Sequence, residues 1–131
     1  RQYGMSDRAK SRAAAENMLT AHPALAGIFG SSEPSSVGAA LAIKARNLSG
    51  KVKLVAFDSS EGMVEDLKGG TIQAMVVQDP FRMGHDAVQS IVDKLAGKTV
   101  PQRIDLSARV IRAEDLSNPE VQRLLTPEIK K

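Results

Sequence analysis

The chain has 131 residues, the size of one ordinary domain able to bury a core of its own. Its 18 Lys and Arg against 15 Asp and Glu leave a net charge of +3, spread thinly except at Lys130-Lys131 and loosely over Arg8, Lys10 and Arg12, and its aromatics are Tyr3, Phe29, Phe57 and Phe81. That pattern excludes a nucleic-acid footprint and a base-stacking platform, and apolar runs of about six residues fall far short of the roughly 20 that a membrane-spanning helix requires.

In chain order, Ser6 or Asp7 can cap a first helix whose apolar positions run through Ala14, Met18 and Leu19 to Ala21, where His22-Pro23 stops it. Ala26 to Gly30 reads as a short strand. Ser31-Ser-Glu-Pro34 opens a second helix to about Asn47, with Val37, Leu41 and Ala45 on one face and proline in the first turn, where it is tolerated. Asn47 to Gly50 is a turn, Val52 to Phe57 a second strand, Glu61 to Lys68 a short helix ended by Gly69-Gly70, and Ile72 to Val77 a third strand. Runs such as Leu54-Val-Ala-Phe57 are apolar on both faces, as a strand covered on both sides by helices requires. Asp79-Pro80 starts a fourth helix with apolar residues at Met83, Ala87, Val88, Ile91, Val92 and Leu95, ended by Gly97. That helix calls for a partner surface. Ile104 to Leu106 and Ala108 to Ile111 read as short strands, and Asn118-Pro-Glu120 caps a last amphipathic piece with Val121, Leu124 and Leu125. The alternation predicts an α/β fold, a three-layer Rossmann-like unit with a mostly parallel sheet.

In such a sheet, ligands bind beyond the carboxyl ends of the strands. Asp58 ends the second strand and Gln78 the third, so both are candidates to hydrogen-bond a small polar molecule. The alternative for Asp58 is a cap on the Glu61 helix, and for Gln78 a residue that merely closes a strand. His22 and His85 lack further ligands at metal spacing, so no metal site and no cofactor is expected. The Asn47-Leu-Ser49 sequon is a short match of the kind that arises by chance, Glu61, Glu65 and Asp66 form a solvated face, and the five methionines are expected to fill the core. No Walker loop, nucleophile elbow or dinucleotide fingerprint is present, and the acidic pair and lysine of a phospho-receiver are missing, which argues against an enzyme. The absence of cysteine suits either a reducing cytosol or an oxidising exterior.

Several segments in order carry a family resemblance: Leu19-Thr-Ala-His-Pro23, Gly27-Ile-Phe-Gly30, Val55-Ala-Phe-Asp58, Gly69-Gly-Thr-Ile-Gln-Ala74 and Val77-Gln-Asp-Pro80 with Gly84. Val110-Ile-Arg-Ala-Glu-Asp-Leu116 and Asn118 to Leu125 add to it. Together they resemble the C-terminal half of a bacterial periplasmic sugar-binding protein of the ribose-binding type. The resemblance implies a two-lobe architecture that closes on its ligand. Residues 1–78 would belong to the C-terminal lobe, 79–107 would cross into the N-terminal lobe, and 108–131 would return to the C-terminal lobe and its tail. Most of the N-terminal lobe would precede Arg1, together with any signal peptide. The implied function is the solute-binding component of an ABC sugar importer in the periplasm or another extracytoplasmic space, with a sugar or polyol and the transporter permease as partners. Asp58 would accept hydrogen bonds from sugar hydroxyls and Gln78 would be the hinge glutamine. Ser32 stands where many relatives carry a ligand-binding asparagine, so the identity of the sugar is left open. The fourth helix, residues 80–96, is expected to repack on its own lobe or to self-associate. The alternative is the effector-binding domain of a lac-repressor-type regulator, which shares the fold.

Overall fold

Asp7 accepts a hydrogen bond from the Lys10 N–H at 2.7 Å and so caps α1, Arg8–Ala21, satisfying one of the donors that a helix start leaves free. The computed structural model describes residues 1–126, and Lys130-Lys131 therefore lie outside the described residues. The elements that follow are β1 (Gly27–Phe29), α2 (Glu33–Ala45), β2 (Lys53–Phe57), α3 (Glu61–Lys68), β3 (Ala74–Val77), α4 (Pro80–Leu95), β4 (Arg109–Ile111), a 3-10 turn at Ala113–Ser117 and α5 (Pro119–Leu125). Boundaries follow local chemistry. Pro34 sits in the first turn of α2, Gly70 and Gly97 take positive φ just past α3 and α4, and Asn118 caps α5 through the Glu120 N–H.

The sheet has the order β1-β2-β3-β4, parallel through β3, with β4 antiparallel to it. It is a mixed α/β unit with a mostly parallel open sheet, as the alternation of elements predicts. Residues 104–106 form no strand. Ile104 stands between Arg103 and Asp105, whose side chains pair with each other at 2.6 Å, and the segment finds no neighbouring ladder among the described residues to offset the entropy of ordering it.

One face of the sheet carries the core. Ile43 on α2, Leu54 and Ala56 on β2, Met63 and Leu67 on α3, Met75 on β3, Ile111 on β4 and Val121 on α5 join one buried cluster with Ala15 and Leu19 of α1. Each large side chain so buried contributes about 1.5–3 kcal/mol. The helix pair α1/α2 approaches closely because Gly38 carries no side chain: a Cβ there would lie 2.6 Å from the Arg12 nitrogen and from the Ser11 Cβ. The opposite sheet face is less covered than the doubly apolar strand pattern predicts. Val55, Phe57 and Val76 are half-buried, while Phe29 and Val110 are exposed. The methionines also divide, with Met63 and Met75 in the core, Met18 half-buried, and Met5 and Met83 exposed.

No residue of α4 is buried. Val88 is 62% exposed and Leu95 83%, so the helix does not repack onto the unit that carries it. Phe81, Gly84, Val88, Ile91 and Leu95 recur at three- and four-residue steps, which puts them on one side of the helix.

Candidate functional site

The three parallel strands end along one edge, and each is followed by one of the candidate residues. Ser32 comes three positions after β1, and Asp58 and Gln78 each come directly after β2 and β3. Phe57 aligns with Val76 across the ladder, so Asp58 lies beside Val77, with Gln78 one step further along the neighbouring strand. The strand register thus brings Asp58 and Gln78 to the same stretch of the edge, and the turn after β1 brings Ser32 to it as well.

Asp58 is the most constrained of the three. Its backbone lies in the left-handed region at φ 68°, a conformation uncommon for non-glycine residues and tolerated best by Asn and Asp. Two bonds hold it there. Its N–H donates to the Val76 carbonyl at 2.9 Å, and its Oδ2 accepts from the Glu33 N–H at 3.3 Å. The carboxylate therefore does cap a helix, but α2 and not α3. The N-cap position of α3 is Ser60, one of several places where a sequence neighbour was the wrong partner to expect.

The Ser32 side chain is turned into its own helix start. Its hydroxyl pairs with the Ser35 hydroxyl at 3.1 Å, the Ser35 Oγ accepts from the Ser32 N–H at 2.9 Å, and it donates to the Ser32 carbonyl at 2.9 Å. The Gln78 amide is half-buried and has no hydrogen-bond partner among the described residues, so both its donor and its acceptor ends are available.

Two residues that build this edge carry no local signal in the sequence. Ser36 is fully buried and ties the ends of two strands together, accepting from the Phe57 N–H at 3.1 Å and reaching the Gly30 and Phe57 carbonyls at 3.3 Å. Gly30 makes room for it, since a Cβ at Gly30 would lie 2.6 Å from Ser36 Oγ and 2.7 Å from its Cα. Arg8, at the start of α1, binds the Glu33 carboxylate, with Nε 3.4 Å from Oε2 and Nη2 on Oε1.

Two grooves flank the edge. One of about 640 Å³ runs between the first six residues, β1 and the serines at 31, 32 and 35. The other, about 630 Å³, lies between the start of α4, residues 105–109 and α5, with the Arg109–Glu120 ion pair at 3.3 Å in its wall. Asp58 and Gln78 line neither groove. Both are half-buried. His22 is an exposed C-cap and the His85 ring lies 3.1 Å from Asp86. Among the described residues no group of three or more His, Asp or Glu side chains is arranged to hold a metal.

Comparison with known proteins reaches the same region of fold space. A family model described as a periplasmic binding protein domain matches residues 1–99. The chain is 30% identical over 86 residues to the fructose import binding protein of Bifidobacterium longum, covering 66% of this chain and 26% of that protein. It is 31% identical over 105 residues to the ribose import binding protein of Haemophilus influenzae, covering 80% of this chain and 35% of that protein. A solved ABC transporter solute-binding protein from Agrobacterium vitis, bound with α-D-tagatopyranose, superposes with a TM-score of 0.92 at 31% identity, over 97% of this chain and 43% of that one. The chain thus spans between a quarter and a half of the length of these proteins.

Proposed function

Because the chain belongs to the periplasmic binding protein domain family, we propose that it supplies one lobe of a sugar-binding receptor that delivers its ligand to an ABC importer. Residues 1–78 are the C-terminal lobe in this reading, 79–107 pass into a second lobe, and 108–131 return. The last five of these lie outside the described residues. The ligand is a sugar or related polyol, held between the lobes by Asp58 and Gln78, with Ser32 at the margin. The receptor acts in the periplasm or another extracytoplasmic space, its partner is the transporter permease, and it performs no catalysis.

The observation that carries this reading is the convergence at one sheet edge of a carboxylate in a strained backbone conformation and an amide without a partner among the described residues. Backbone strain held by surrounding structure is concentrated at functional positions. A carboxylate accepts strong hydrogen bonds from hydroxyls, and an amide both donates and accepts, which together suit a polyol. The import binding proteins and sugar-bound solute-binding protein among the relatives favour this reading over a repressor effector domain. The exposed face of α4 fits it too, since a helix that crosses to a second lobe is buried there.

Closure follows from differential contact: a sugar touching both lobes stabilises the closed form over the open one, and only the difference in contacts can shift that equilibrium. The test is calorimetric titration of D-ribose, D-fructose and D-tagatose into the two-lobe protein and into this chain alone. Binding by the two-lobe protein, lost or strongly weakened in the single chain and in Asp58→Asn, is the expected result. Failure of all three sugars to bind the two-lobe protein would overturn the reading.

A further inference from the structure

Beside Asp58 the crevice edge carries a second acidic residue, Glu33, joined to it through the backbone. Glu33 is the first residue of α2, and its N–H donates to Asp58 Oδ2 at 3.3 Å. Its side chain carries a second negative charge on the same short stretch of backbone and keeps 21% of its surface exposed. Arg8, from the first turn of α1 and 25 residues earlier in the chain, takes that carboxylate with two guanidinium nitrogens. The two helices also pack through buried Ala15, Leu19, Ala39 and Ile43.

We propose that Arg8 is a positioning residue for Asp58: by binding Glu33 it holds the start of α2 with its N–H on Asp58 and removes a competing negative charge from the crevice edge. The inference rests on the reading of Asp58 as a sugar ligand. Physically it has two parts. A helix start frays readily, and a side chain anchored at its first residue keeps the free N–H of that residue aimed at its acceptor. A second, unneutralised carboxylate on the residue whose N–H binds Asp58 would repel the Asp58 charge. With Glu33 neutralised by Arg8, Oδ2 is held by the Glu33 N–H, and Oδ1 has no hydrogen-bond partner among the described residues.

The test is a set of variants of the two-lobe protein titrated with D-ribose, D-fructose and D-tagatose. Arg8→Gln should weaken binding by about threefold to fivefold, the scale on which partly exposed ion pairs act. The same change made on Glu33→Gln should have no further effect, because the charge that Arg8 neutralises is gone, and on Asp58→Asn it should again do nothing. The Glu33 amide proton resonance should move in Arg8→Gln while resonances of the α1/α2 core stay in place. If Asp58→Asn weakens binding and Arg8→Gln does not, the positioning role is wrong while the sugar site stands. If Arg8→Gln weakens binding equally in the Asp58→Asn background, Arg8 acts through general structure and the proposal fails. If Asp58→Asn leaves binding unchanged, the sugar reading of Asp58 fails, and this inference with it.

Discussion

At the scale of single residues, the crevice edge depends on side chains whose size and backbone conformation leave little freedom. Asp58 sits at φ 68°, where asparagine is tolerated and alanine is not, so Asp58→Asn should leave stability nearly unchanged while Asp58→Ala should lower it by about 1 kcal/mol. Urea unfolding of both variants separates this backbone effect from any loss of sugar binding. Gly30→Ala forces a methyl against Ser36, 2.6 Å from its hydroxyl, and overpacking of this kind costs about 1–3 kcal/mol. An unchanged denaturation midpoint would show that α2 can slide away from β1. The Ser11 hydroxyl is buried without a hydrogen-bond partner among the described residues, and an unsatisfied buried polar group costs about 1–3 kcal/mol. Ser11→Ala should therefore raise the unfolding midpoint, and a lower midpoint would mean that the hydroxyl has a partner after all. Asp58 and Gln78 were visible in the sequence because each closes an apolar run. Arg8 and Ser36 were not, since their partners lie 25 and 21 residues away.

At the scale of elements, α2 and α4 illustrate opposite fates for an amphipathic helix. Ile43 of α2 is fully buried, and its truncation to alanine should cost about 2–5 kcal/mol. Ile91 of α4 is 60% exposed, so Ile91→Ala should change the stability of this chain by no more than about 0.5 kcal/mol. The same substitution in a two-lobe protein should be clearly destabilising if a second lobe covers α4, and equal small effects in both would count against that arrangement. In the chain alone, the apolar side of residues 80–96 is expected to pair with a second copy, which sedimentation would register as concentration-dependent mass. Helix α4 also carries its own pH response. The Asp86 carboxyl is held below its ordinary value of 3.8, first by the hydrogen bond with His85 and then by Arg82, against some opposing desolvation. A lowered carboxyl favours the folded helix above the unfolded value and loses that contribution as pH falls through the folded one. Hydrogen exchange in α4 should therefore quicken relative to α2 on acidification below about pH 4. The strand expected at 104–106 failed for a reason of the same scale, because a strand needs a neighbour and none of the described strands pairs with it.

At the scale of the whole molecule, the open sheet edge, the half-covered face with Phe29, Val55, Phe57, Val76 and Val110, and the exposed α4 all point the same way. Each is a surface that an additional layer of structure would complete. For the proposed receptor, this predicts that sugar affinity belongs to the pair of lobes and not to either one. At a sugar concentration about 100 times the dissociation constant, the two-lobe protein should gain about 2.7 kcal/mol of stability. The single chain, with only its own lobe's contacts, should gain far less under the same conditions, and an equal gain would mean that one lobe contains the whole site.

What the sequence determined by itself was the alternation of elements and their type. Apolar runs of strand length, helix caps and glycine stops act over a few residues, and the segments that resemble sugar-binding proteins are likewise short and local. From these the parallel sheet and the two strand-end candidates follow. What only the tertiary structure decided was partnership: that Asp58 reaches α2 and not α3, that Ser32 turns into its own helix, that β4 joins antiparallel, and that α4 stays out in solvent. Hydrogen bonds and burial are made between groups brought together by register and crossover, and a linear pattern carries no record of which distant groups those will be.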